Sequence, residues 1–145
     1  MRPTGLEWSD KFSTDILSVD HQHKELLSLL QKVLEVVASD DASLEEKQAV
    51  FKTLVDHALA HFDYEERIMQ NIHYPHLSQH ILEHDDLRSE ITELSNDVMS
   101  GEGVEDWKGL VSLVQVWLLR HILSSDTPIR DYIQRGHAPA GIITN

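Results

Sequence analysis

The sequence predicts an all-α protein, an up-down antiparallel four-helix bundle with an N-terminal arm and a short C-terminal helical turn. Three observations predict it. The four prolines and six glycines cluster between long segments instead of interrupting them. Inside those segments apolar residues recur three or four apart, the spacing of one buried helix face. The connections are short, which makes consecutive helices antiparallel neighbours. At 145 residues the expectation is one domain, with an arm over 1–17, the bundle over 18–126 and a C-terminal segment over 127–145.

The arm ends near Leu17. The first helix then carries Leu27, Leu30, Leu34 and Val37 on one face, and a Ser-Asp-Asp-Ala-Ser turn closes it. Ser43 with Glu46 forms the capping-box pattern that starts the second helix. Its stripe is Phe51, Leu54, Ala58, His61, Glu65 and then Ile68 or Met69. Pro75 suits the first turn of the third helix, with Leu77, His80, His84, Leu87, Ile91, Leu94 and Val98 in line before Gly101 and Gly103. The fourth helix is expected from about Val104, with Leu110, Val114, Trp117, Leu118 and His121 on one face. Pro128 weakens it, and Ile129 to Gln134 form a last short turn.

Composition narrows the function. A net charge of −13 argues against nucleic acid and anionic membrane as partners, since both need clustered Lys and Arg. The absence of cysteine removes disulfides, a thiol nucleophile and thiolate metal sites. No apolar run is long enough to cross a bilayer. The start, MRPTGLEWSDKFSTD, lacks the basic-then-apolar order of a secretory signal, so the expected location is cytoplasmic.

The stripes also carry polar residues. Extended backwards, the first reaches His23 and not His21, which lies about 200° away on a helix of 3.6 residues per turn. His61 and Glu65 are four apart and stack on one face, whereas Glu66 falls about 140° from His61 and is placed outside. His80 and His84 repeat the four-residue spacing, and His121 sits on the fourth helix. One such histidine is an ordinary hydrogen-bonded core residue. Five with a glutamate would leave several buried polar atoms to satisfy, and a metal site removes that cost. Six ligands exceed what one tetrahedral zinc takes. Imidazoles with a bridging carboxylate suit iron, and the di-iron sites of ferritin-like bundles are the nearest structural comparison.

The order of these residues resembles that of the bacterial hemerythrins over nearly the whole chain. The pieces are DHQH (His23), HFDYEE (His61, Glu65), YPHLSQHILEH (His80, His84) and WLLRHILSSD (His121, Asp126), preceded by Trp8 in LEWSD. The resemblance implies that His80, His84 and His121 bind one iron, that His23 and His61 bind the other, and that Glu65 and Asp126 bridge them with an oxo or hydroxo group. Two octahedral irons so ligated keep one position open, on the side with two histidines, where dioxygen is expected. Asp126 is the awkward ligand: five residues past His121 is about 140° around an ideal helix, so the helix must loosen there by a bulge or by ending.

The implied function is reversible dioxygen binding for oxygen storage, transport or delivery by a binding protein that is not an enzyme. A monomer is expected, with an oxygen-consuming enzyme or a signalling domain as receiver. The alternatives are an oxygen- or redox-sensing domain of a signalling protein, and a di-iron peroxidase or oxidase. Phe62, Trp117, Leu118 and Ile122 lie next to ligands and are read as the wall of a dry oxygen pocket. His57 is read as packed or half-exposed, His73 and His76 as turn residues, and His21 and His137 as exposed.

Overall fold

The computed structural model describes residues 6–101, 103–137 and 144. Residues 1–5, at the start of the expected arm, and 138–143 and 145, in the expected C-terminal segment, lie outside that description. Four long helices form the bundle: α1 (Leu17–Ala38), α2 (Leu44–Asn71), α3 (Leu77–Met99) and α4 (Trp107–His121). α1 packs on α2 and α4, and α2 packs on α3. A π-helical turn (Ile122–Asp126) follows α4, then a short helix α5 (Pro128–Tyr132) and a second π-type turn (Ile133–His137). No described helix is long and apolar enough to cross a membrane.

Each boundary has a local cause. Ahead of α1 the arm makes a 3₁₀ turn (Asp10–Phe12), burying Leu6, Phe12 and Ile16. Asp20, itself buried, fastens the arm by accepting bonds from Ser13 Oγ at 2.6 Å, Thr14 N at 2.7 Å and Thr14 Oγ1 at 2.8 Å. The Ser43 hydroxyl caps α2, accepting from Glu46 N at 3.1 Å. At the far end of α3, Gln48 Nε2 donates to the Val98 carbonyl at 2.8 Å, satisfying one of the terminal acceptors that a helix leaves open. Gly103 turns the chain with φ +72, where a Cβ would meet Leu44 Cδ1 at 2.9 Å.

Two boundaries and two stripes differ from expectation. α4 starts at Trp107, not near Val104, because Asp106 is its cap and accepts from Gly109 N at 2.9 Å. Pro75 precedes α3 instead of opening it: the turn Tyr74–Leu77 intervenes, and the first α-type bond runs from His80 N to His76 O at 3.0 Å. Pro128 follows the loosened end of α4, as expected, and sits in the first turn of the short helix α5, where its missing N–H costs nothing. On α1 it is Val33 that is buried while Leu34 is half-buried, because the buried seam runs Leu26, Leu30, Val33, Val37 at coiled-coil spacing. On α4 the same drift buries Val111 and leaves Leu110 at the edge.

Two apolar clusters fill the interior. The larger joins Leu27, Leu30, Phe51, Leu54, Ile91 and Val114; the smaller joins Ile16, Val19, Met69, Ile72, Tyr74 and Ile129. Along the helices, the buried histidines, Glu65 and Asp126 fall between residues of one cluster and residues of the other.

Candidate metal centre

Each long helix contributes to this buried polar set. His23 comes from α1, His61 and Glu65 from successive turns of α2, His80 and His84 from successive turns of α3, and His121 from the end of α4. All are buried, His23, Glu65 and His84 completely. Asp126 arrives from the π turn. There Thr127 N bonds Ile122 O at 3.0 Å, a five-residue closure that adds one residue to the turn and swings Asp126 back under His121. The loosening that its spacing demands is therefore present.

The five imidazoles converge through Nε2. Glu65 Oε1 faces His80 at 2.7 Å and His84 at 3.3 Å, while Oε2 faces His61 at 3.0 Å and His23 at 3.3 Å. Asp126 divides itself the same way: Oδ1 lies 2.8 Å from His80 and 3.1 Å from His121, and Oδ2 lies 3.0 Å from His23. Two donor groups result, one of Glu65, His80, His84, His121 and Asp126, the other of His23, His61, Glu65 and Asp126. Both carboxylates belong to both groups, with one oxygen turned to each.

Hydrogen bonding alone does not satisfy this cluster. Glu65 Oε2, both Asp126 oxygens and His23 Nδ1 are buried with no partner of hydrogen-bonding geometry. Two pairs of ring nitrogens face each other at 3.0 Å, His23 with His61 and His84 with His121. His61 Nδ1 and His84 Nδ1 are each 2.7 Å from a side-chain oxygen, of Gln22 and Glu66 respectively. Donating there leaves each Nε2 as a lone pair aimed inward at other acceptors. A cation held in each group would satisfy such an arrangement, and imidazole with carboxylate is a donor set for borderline divalent metals.

Without a metal, protons take the cation's place. Burial opposes charge on His23 and His80, but Asp126 and Glu65 outweigh it and raise both to about 10. Burial likewise opposes ionisation of Glu65 and Asp126. The surrounding histidines prevail, His61 foremost for Glu65 and His121 for Asp126, and hold both carboxyls well below their ordinary range.

The remaining expectations divide. Phe62 is buried and stacks on His84, ring centroids 4.5 Å apart, with His121 edge-on at 6.0 Å. Leu118 and Ile122 are buried in the same apolar cluster. Trp117 is only half-buried and lines an outward groove with Leu87, Arg120 and His121. His57 is exposed and sits 3.2 Å from the Thr53 carbonyl of its own helix. His21, His73, His76 and His137 are exposed. Glu66 corrects the expectation that it points away, because its long side chain bends back from the helix edge to His84. Gln22, beside His23 in DHQH, was not singled out by helix-face reasoning, nor was Arg88, which grips Glu66. The paired Glu of HFDYEE was the available signal.

Comparison with known proteins gives the family and the fold. The family model described as the hemerythrin HHE cation binding domain matches residues 14–129. The chain is 30% identical to a bacteriohemerythrin of Pseudomonas aeruginosa over 131 residues, covering 89% of this chain and 82% of that one. It is 25% identical to one of Clostridium acetobutylicum, covering 87% of this chain and 97% of the relative. A crystal structure of wild-type hemerythrin superposes with a TM-score of 0.78 at 26% identity, covering 86% of this chain and 95% of that one.

Proposed function

This chain belongs to the hemerythrin family, and from that membership we propose that it binds dioxygen reversibly at a pair of iron ions, for oxygen storage, transport or delivery. The observation that carries the reading is the inequality of the two donor groups. His80, His84 and His121 with an oxygen from each carboxylate would hold one iron. His23 and His61 with the other carboxylate oxygens would hold the second with one protein donor fewer, so that dioxygen would bind on the side of His23 and His61. When bound, iron supplies the electrons that dioxygen borrows and returns.

The protein's part is to hold and to exclude. Glu65 and Asp126 tie the two groups into one unit, since each turns an oxygen to both. Gln22 and Glu66 fix the rings of His61 and His84 from behind. Phe62, Leu118 and Ile122 keep the interior apolar and dry, which supports release of intact dioxygen over its onward reduction. Five neutral imidazoles against two carboxylates stabilise ferric iron less than a carboxylate-rich site would, and that supports binding over oxidation. We read the chain as a binder, acting as a monomer that hands oxygen to an oxygen-consuming enzyme or a signalling domain.

The test is to load iron without air, count it per chain, and follow the visible spectrum through cycles of oxygen and argon. Two irons and a band that appears in oxygen and fades under argon are expected. Immediate, permanent oxidation with turnover of peroxide and a reductant would replace binding by redox enzymology. Fewer than two irons on a folded bundle would overturn the seven-ligand assignment.

A further inference from the structure

Among the described residues, the groups behind the inward-facing histidines are unequal. His61 Nδ1 meets the neutral amide of Gln22, and His23 Nδ1 has no hydrogen-bond partner. His121 Nδ1 lies 3.8 Å from Glu83, beyond hydrogen-bond reach. His84 alone has a carboxylate at hydrogen-bond distance from Nδ1, that of Glu66 at 2.7 Å. The same Glu66 oxygen receives Arg88 Nη2, whose guanidinium also bonds Asp63 at 2.9 Å and Asp85 at 2.8 Å. That guanidinium stands 5.8 Å over the Phe62 ring, which stacks on His84.

We propose that Glu66 and Arg88 are a positioning pair that sets how strongly His84 donates to the metal of the three-histidine group. The inference rests on the two-metal reading above. A carboxylate that accepts the Nδ1 proton makes the imidazole a stronger ligand through Nε2. A guanidinium on that carboxylate draws back part of its charge and moderates the effect. Glu66 therefore strengthens one side of the pair and Arg88 limits the strengthening. The other side, backed by an amide, has no such control.

The two residues make opposite predictions, which a packing role would not. Glu66→Gln keeps an acceptor for Nδ1 and removes the charge. Arg88→Met keeps an aliphatic stem over Phe62 and frees the charge. Zinc, which undergoes no redox change, is titrated into the metal-free chain and its variants. Glu66→Gln is expected to weaken one of two sites about tenfold, the size usual for outer partners of a ligating histidine. Arg88→Met tightens that same site, and the double variant behaves as Glu66→Gln because Arg88 acts only through Glu66. Glu66→Asp recovers part of the loss. In the iron-loaded protein the midpoint potential rises in Glu66→Gln and falls in Arg88→Met.

Equal weakening by both substitutions, with equally lowered unfolding temperatures, would overturn the inference in favour of packing. Two zinc ions bound with unshifted affinities in every variant would sink it while leaving the two-metal reading intact. Fewer than two zinc ions in the unaltered protein would remove that reading and this inference together.

Discussion

His121 and Asp126 meet at 3.1 Å, Nε2 to Oδ1, although Asp126 lies five positions further along continuous helical backbone. An α-helix would turn them apart; the π turn between them brings both to the bundle axis. Asp126 is completely buried, so the wider turn has one evident product, a second carboxylate reaching both donor groups.

Replacing Asp126 by Ala therefore tests the turn's purpose. In the metal-free protein it leaves His23 and His80 without their principal charge partner and costs about 3 kcal/mol, as loss of one member of a buried pair does. Metal content is expected to fall below two per chain while helical circular dichroism persists. Denaturant unfolding and metal analysis of one preparation give both answers.

The metal-free protein should lose stability as the solution turns alkaline. His23 and His80, raised to about 10 from 6.5, bind more protons folded than unfolded between those values. Their contribution is complete below about pH 6.5 and disappears as pH rises through about 10. Glu65 and Asp126, held low, contribute above their ordinary values of 4.5 and 3.8 and lose that contribution as pH falls. Thermal unfolding of the metal-free form should peak near pH 6 and decline towards pH 10. Metal loading at pH 8 should release protons, measurable with an indicator dye.

Phe62 is 1% exposed and lies against His84. Phe62→Ala is expected to destabilise the bundle by about 3 kcal/mol through the cavity it opens. On the oxygen-binding reading, water then reaches the site and the oxygenated spectrum decays faster under air. A slower or unchanged decay would remove Phe62 from the dry wall.

One buried carboxylate, that of Asp20, gathers three of the arm's hydrogen bonds. Asp20→Ala removes the acceptor that the Ser13 hydroxyl, the Thr14 amide and the Thr14 hydroxyl share, at a cost of about 2 kcal/mol. Hydrogen exchange at the Thr14 amide should quicken far more than exchange at the amides of α2.

Helix-face reasoning reached the inward histidines because a ligand has to share the stripe that the apolar residues occupy. His23 could be separated from His21, and His61 and Glu65 from the outer face, by angle alone. The same reasoning misplaced Glu66, since angle locates a Cβ and says nothing of where a long side chain ends. Gln22 and Arg88 escaped it for the same cause: each acts on a residue of a different helix.

By itself the sequence determined the four helices, most of their buried faces and the inward direction of His23, His61, Glu65, His80, His84 and His121. All are properties of spacing along one chain, and 3.6 residues per turn converts spacing into direction. Tertiary structure alone decided how Glu65 and Asp126 divide their oxygens between two donor groups, and what stands behind each imidazole. Those relations join residues up to about a hundred positions apart, as between His23 and Asp126. They depend on which helices become neighbours and which rotamers the packing leaves, and no local periodicity encodes either.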